Sequence, residues 1–335
     1  MSRSAPTTRD VAQLAGVSLA TVSYVLNGRR DGGGKIGEAT REKVLRAVAE
    51  LGYVPNQSAR HLRRQKTERI CVVLPNLGVP YFDALVQDVQ NVAEEHGYTT
   101  IIAYAGTFER ERRILEQIQC HLADGALIVD GRTTEKDLVS FVNSGIPLVI
   151  MRNHTVPEGF DVVETNEREA CYEAISYLIR QGRRHIAFLG HFGAMNEPYD
   201  RFIGYQQALR DGGIAFDERL VSGGAGSRKA ASLNVQRWLN LDPRPDAIFA
   251  TSDKAAISII WTVRDAGLRV PEDVAIIGVG NIPEGESTSP PLTTVGPASS
   301  DFRAVAQLLF SRLADGELEA RTFVHEWTLI RRGSA

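Results

Sequence analysis

From position 69 onward, short and nearly continuous apolar runs recur between amphipathic stretches, and this rhythm leaves the chain few architectures. The runs at 70–74, 99–103, 125–129 and 148–150 each read as a strand buried on both faces. Such strands belong to parallel sheets covered by helices, and segments 82–96 and 109–121 carry the helical periodicity to cover them. The series restarts at 186–189 and continues at 247–250 and 274–278. Two consecutive βα series predict two doubly wound lobes of similar size, with a helix at about 300–313 crossing back to the first.

The first 66 residues lack that rhythm and differ in charge. They hold 12 Lys and Arg against 5 Asp and Glu, a net +7, whereas the remainder is net −10 within a total of −3. A cationic head on an anionic body points to a polyanionic partner, nucleic acid being the commonest; a solvated basic tail is the alternative. With 43% hydrophobic and 24% charged residues the chain is too apolar for disorder. No apolar run approaches the ~20 residues of a membrane helix, and residues 1–10 lack the apolar stretch of a signal peptide, so no membrane partner is expected. Cys71, Cys120 and Cys171 are odd in number and far apart, which argues for a reducing cytoplasm. No C-x-x-C pair offers a thiolate zinc site.

Inside the head the pattern is that of a helix-turn-helix. Thr7 and Thr8 offer a hydroxyl cap before Val11, Leu14 and Ala15, and Gly16 stops the helix. Ser18 can cap a second helix carrying Ala20, Val22, Val25 and Leu26, which ends at Asn27-Gly28. A third helix is legible at 38–51, ended by Gly52. The stretch 55–66 is Pro-initiated and very polar, and its propensity suits a segment that folds when phosphates neutralise it.

The ordered run Thr8-Arg9-Asp10-Val11-Ala12-Gln13-Leu14-Ala15-Gly16-Val17-Ser18, continued by Leu19-Ala20-Thr21-Val22-Ser23-Tyr24-Val25-Leu26-Asn27-Gly28, resembles the N-terminal signature of the lactose-repressor (LacI/GalR-type) family. Thr40-Arg41-Glu42-Lys43-Val44 and Leu51-Gly52-Tyr53-Val54-Pro55-Asn56 match downstream. The resemblance covers essentially the whole chain. It implies a helix-turn-helix domain over 1–54, a hinge helix and linker over 55–68, and a two-lobed periplasmic-binding-protein-like core over 69–335. Lobe 1 would span about 69–163 plus 297–320, and lobe 2 about 164–296 plus 321–335.

The resemblance also implies that Leu19 and Ala20 meet base edges in the major groove, reading thymine methyls or fitting sterically. Thr21 and Ser23 would touch phosphates. Tyr24 stands where the family often has an Arg paired with guanine, a bidentate contact that a phenol cannot reproduce. Thr7, Ser18, Asn27, Arg29 and Asn56 join them as candidate DNA contacts. Ala59 and Leu62 match the hinge helix whose paired Leu side chains wedge into the minor groove. The loop 29–35 is longer than the family's usual turn; its Arg29, Arg30 and Lys35 suit phosphate contacts or a solvated surface equally.

In doubly wound folds ligands meet the carboxyl ends of the strands. The candidates there are Tyr81 and Phe82, an aromatic pair that can stack on a ring ligand, with Arg152, Arg201, Ser252, Asp253 and Asn281. Arg201 matches the family's effector-gripping Arg, a structural salt bridge being its alternative. Arg152 replaces an acid common in sugar-binding members, and Gly280-Asn281 replaces an Asp-Asp pair. Two lost carboxylates and a gained cation favour an anionic effector held by Arg152 and Arg201; the rival is a cleft that binds no small molecule.

No dinucleotide fingerprint, P-loop, H-E-x-x-H or G-x-S-x-G motif is present, so neither an enzyme, a cofactor nor a metal is expected. These readings converge on a DNA-binding repressor, a homodimer on a palindromic operator modulated by a small-molecule effector of unknown identity. A solute-binding protein would lack the basic head. In this reading Leu62→Ala weakens operator binding well beyond its effect on nonspecific DNA; equal losses in parallel titrations would refute the wedge.

Overall fold

The computed structural model describes residues 6–26, 36–54, 66–190, 200–299 and 301–335. It divides into a unit Met1–Thr67 and a unit Glu68–Ala335.

In the first unit a capping box opens helix α1 (Thr8–Ala15): the Thr7 hydroxyl accepts from the Asp10 amide while the Asp10 carboxylate accepts from the Thr7 amide at 2.8 Å. Gly16, at φ 67° and ψ 36°, closes it in the left-handed conformation, and the Val17 amide returns to the Ala12 carbonyl at 3.0 Å. Helices α2 (Leu19–Leu26) and α3 (Glu38–Leu51) follow. Val11, Ala12, Val22, Val44, Ala47 and Tyr53 form the small core. The Tyr53 hydroxyl shares a 2.7 Å hydrogen bond with that of Thr8, tying the end of the third helix to the start of the first.

The second unit holds two six-stranded sheets. The first is built from β1 (Arg69–Leu74), β2 (Thr99–Tyr104), β3 (Gly125–Val129), β4 (Leu148–Met151), β5 (Asp161–Thr165) and β11 (Thr322–His325). They lie in the order β11-β5-β4-β3-β1-β2, all parallel. The second comprises β6 (Ile186–Gly190), β7 (Val221–Gly223), β8 (Ala247–Ala250), β9 (Ala275–Val279), β10 (Thr293–Pro297) and β12 (Trp327–Ile330). Its order is β12-β10-β9-β8-β6-β7, with β12 alone antiparallel to its neighbour.

Alternation along each strand sends side chains to two helical layers, as burial on both faces requires. In β1, Ile70, Val72 and Leu74 pack under α4 (Pro80–Glu95) and α11 (Arg303–Ala314). Cys71 and Val73 face α5 (Phe108–Gln117) and α6 (Glu135–Val142). In β6, Ile186 and Phe188 pack with α7 (Glu167–Arg180) and α8 (Asp200–Asp211). Ala187 and Leu189 pack with α9 (Arg228–Leu239) and α10 (Asp253–Asp265).

The chain passes between the sheets three times: from β5 into α7, from β10 into α11, and from β11 into β12. The expected lobe boundaries therefore move. Strand β5 extends the first lobe to Thr165, and β11 keeps the chain there through His325, five residues beyond the expected 320. The sequence showed no apolar run at 322–325 because an edge strand covered on few sides needs none. The expected return helix begins at Arg303.

Helices α7 and α8 cross at Gly204, where an added Cβ would lie 2.4 Å from the Arg168 carbonyl oxygen and 3.0 Å from the Tyr172 amide nitrogen. Both are backbone atoms and cannot swing aside. Gly204→Ala should cost the core roughly 1–3 kcal/mol, the range for overpacking. Denaturant unfolding followed through the core's tryptophans measures it, and an unchanged midpoint would show that the helices can separate freely.

Candidate functional site

Two sets of sequence-predicted residues lie in different units. On α2 in the head, Val22 points wholly inward, leaving Leu19, Ala20 and Tyr24 outward; Leu19 is 48% and Tyr24 38% exposed. These positions, with half-buried Ser23, share one helical face. The Ser18 hydroxyl caps α2 by accepting from the Thr21 amide at 3.1 Å and lies 2.9 Å from the Thr21 hydroxyl. Both hydroxyls are thus already paired, as is that of Thr7, which donates to Asp10 at 2.8 Å. Asn27, Arg29, Asn56, Ala59 and Leu62 lie outside the described residues, as do the rest of loop 29–35 and most of the expected hinge helix.

In the second unit the carboxyl ends of the two sheets face one another across a cleft, and side chains at those ends meet. Asn153 and His154, after β4, reach Asp200 at the start of α8: Asn153 Nδ2 donates at 2.9 Å and His154 Nε2 lies at 3.0 Å. That carboxylate raises the His154 pKa. Lys254, in α10, donates to the Gly78 carbonyl ahead of α4 at 2.5 Å.

The expected ligand residues divide sharply once their partners are known. Arg201 is bound edge-on by Glu167, its Nε and Nη2 donating to the two carboxylate oxygens at 2.7 and 2.9 Å. Its Nη1 donates to the Thr251 carbonyl at 3.0 Å, and its guanidinium lies 5.2 Å from the Trp327 ring centre. Arg152 is also engaged: Nη1 donates to the carbonyls of Gly131 and Thr133 at 2.8 and 2.9 Å, and Nε to the Thr155 hydroxyl at 2.9 Å. Glu111, buried beneath, holds the same loop through the amides of Arg132 and Thr133 and the Thr133 hydroxyl. Both arginines are thus engaged within the protein, and Arg152 braces the loop after β3.

Asp253 and Asn281 are also engaged within their own lobe. The Asp253 carboxylate is buried and accepts from the Ile282 amide at 2.9 Å and the Thr294 hydroxyl at 2.6 Å. Burial outweighs these donors and pushes its pKa up to about 6. Asn281, at φ 51°, donates to the Pro297 carbonyl and accepts from Arg332, both at 2.9 Å. Both side chains join the loop after β9 to β10. Ser252 stands at the N-cap of α10, half-buried, with no capping hydrogen bond from its side chain.

Tyr81 is half-buried among other aromatic rings. Its ring packs against the cores of both lobes and contacts Phe82, Phe302 and Trp327 edge-on at 5.8, 4.9 and 5.4 Å. Burial drives its pKa far upward. Phe82 beside it is half-buried.

Among the residues at the cleft that escaped the sequence reading are Asp130, Glu167 and Trp327, besides Asp200 and Lys254. Asp130 follows β3 at φ 47°, and its side chain is open to solvent and accepts no hydrogen bond from any described residue. Crowding by protein atoms around it, with Glu167 adding repulsion, pushes its pKa up to about 6 against the pull of Arg201 and Arg152. Its signal was available, as the polar residue closing an apolar strand. Glu167 and Trp327 follow strands β5 and β11, which the apolar pattern did not reveal.

A cavity of about 10 Å³, room for one water, lies beside Asp130 among Pro75, Ala105, Thr107 and Glu111. A separate hollow of about 760 Å³ opens at the amino-terminal edge of the second sheet, near His185 and Phe216, and gathers none of these residues. Among the described residues there is no cluster that could hold a metal and no helix long and apolar enough to cross a membrane.

Comparison with known proteins places this geometry. Residues 7–56 match the model of bacterial regulatory proteins of the lacI family, and residues 175–335 match the periplasmic binding protein-like domain. The HTH-type transcriptional repressor PurR of Vibrio atlanticus is 32% identical over 332 residues, 98% of each chain. The chain belongs to the lacI family of bacterial regulatory proteins. The HTH-type transcriptional repressor CytR of Escherichia coli is 31% identical over 333 residues, covering 98% of this chain and 96% of the relative. Among solved structures, a transcriptional regulator CelR–cellobiose complex is 31% identical, covers 98% of this chain and all of its own, and superposes with a TM-score of 0.70. The fold of this lacI-family chain is thus a helix-turn-helix joined to two α/β lobes, as its sequence implied.

The raised Asp130 pKa has a consequence for stability. The folded protein holds this proton more tightly than the unfolded chain, whose carboxyl titrates near 3.8. Its contribution therefore favours folding below about pH 4 and is lost as pH rises through about 6. Asp130→Asn should raise the core's Tm at pH 7 and have little effect at pH 4. Melting curves across that range check it; a Tm at or below wild type at pH 7 would contradict the crowding.

Proposed function

We infer that this chain is a transcriptional repressor that binds a palindromic operator as a homodimer, acting in the cytoplasm where its DNA target lies. The observation that carries the reading is the outward face of α2, with Leu19, Ala20 and Tyr24 exposed on a helix whose opposite side, at Val22, is wholly buried. A helix so seated presents apolar contacts for thymine methyl groups and one phenolic hydroxyl, which suits sites rich in A·T at the positions read. Ser23 and the paired hydroxyls of Ser18 and Thr21 stand at its margin for phosphates, at the cost of exchanging a partner. The net +7 of residues 1–66 supplies the salt-dependent attraction to the backbone.

Two-fold symmetry follows from size, since one head of three short helices spans a single half-site. The effector site of the reading is the cleft of the second unit, supported by the convergence of Asp130, Glu167, Arg201 and Trp327 and by the cellobiose carried by the CelR regulator. An effector bridging both lobes would change their relative position and, through the paired lobes of the dimer, the spacing of two heads.

Selection of binding sites from a random duplex library, with purified full-length protein at one stated salt concentration, tests the reading. Enrichment of a two-fold palindrome is the expected result. A monomeric, non-palindromic consensus would overturn the dimeric mode, and recovery of unselected sequence would overturn specific recognition.

A further inference from the structure

The engagement of Arg201 has a chemical meaning beyond the presence of a ligand site. Glu167 is the first residue of α7, just where the chain leaves the first sheet for the second. Its carboxylate meets Arg201 through two parallel N–H···O contacts at 2.7 and 2.9 Å, with the side chains 17% and 16% exposed. This is the geometry by which a guanidinium grips a free carboxylate or phosphate. The remaining edge and face of Arg201 are met by the Thr251 carbonyl and the Trp327 ring. An anion arriving at Arg201 has to displace a tethered carboxylate that is present at high effective concentration. The displaced Glu167 would then stand beside Asp130, which it already repels.

Beside this pair, opposite charges are matched. Arg201 cancels Glu167, and Arg152, held by backbone carbonyls, offsets Asp130. Of these four, Asp130 is the group open to solvent whose oxygens accept no hydrogen bond from a described residue. Two donors nearby, the Tyr81 hydroxyl and the Trp327 indole nitrogen, are buried and make no hydrogen bond within normal geometry.

We propose that Glu167 sets the charge specificity of this cleft: as a built-in ligand of Arg201 it excludes anions and leaves Asp130 to accept hydrogen bonds from an uncharged, donor-bearing effector. The inference rests on the reading of the cleft as the effector site. It makes Glu167 a specificity-determining residue, acting by occupying a cation that would otherwise select carboxylates or phosphates.

The test uses the full-length protein and inorganic phosphate as probe. Wild type, Arg201→Met, Glu167→Gln and the double variant Glu167→Gln/Arg201→Met are titrated calorimetrically, with tryptophan emission, to which Trp327 beside Arg201 contributes, as a second readout. Wild type should show no saturation below about 10 mM phosphate, Glu167→Gln should bind at least about tenfold more tightly, and the double variant should lose that gain. Phosphate binding by wild type that is abolished in Arg201→Met overturns the proposal. So does a folded Glu167→Gln protein with no gain. Should Glu167→Gln fail to fold by thermal melting, Glu167→Asp decides: it keeps the charge but shortens the reach, so a smaller gain is expected and none overturns. Site selection on random DNA is independent of phosphate. A protein that enriches a palindrome but gains no phosphate affinity sinks only the role of Glu167, and the converse sinks only the repressor reading.

Discussion

All strands of a parallel sheet end on the same edge, and this geometric fact governs the core. Helices must return the chain across both faces, so the strands are apolar throughout and the chemistry is left to the loops at their ends. Two such edges facing each other concentrate polar groups in one cleft. Those groups need partners, because an unpaired buried donor or charge is costly. Arg152, Asp253 and Asn281 find theirs within their own lobe, bracing the loops after β3 and β9. Arg201 finds Glu167. These side chains hold the loops at the strand ends in place.

The strands buried on two faces were legible because their composition is extreme. The same runs that mark β1, β3, β6 and β8 are fully buried in the fold. Strands β5, β7, β10, β11 and β12 were not legible. Asp161–Thr165 and Thr322–His325 carry polar side chains toward the ends of the sheet, and Thr293–Pro297 hides two threonines whose hydroxyls bond inward, to Asp253 in one case. Edge position and local hydrogen bonding replace apolarity there, and neither leaves a periodic trace. The site suffered for it, since Glu167 and Trp327 are known as cleft residues only once β5 and β11 are placed.

The head shows the opposite balance. Nearly all its structure was readable because caps and stops act locally: Thr7 with Asp10, Ser18 with Thr21, and glycines at positive φ at Gly16 and Gly52. The partners of Ser18 and Thr21 were not readable as a pair, although their spacing of three places both on one turn. A residue type that suits phosphate also suits capping, and sequence alone assigns it to either.

The three passages between the sheets also define a mechanism in the engineer's sense. One strap would leave the lobes free to swivel, and two would let them twist about the line joining them. A third restricts their relative travel further. Tyr81, whose ring packs against both hydrophobic cores, lies beside the third strap at Trp327. Covalent connectivity thus narrows the relative displacements open to the two lobes, regardless of which molecule starts them.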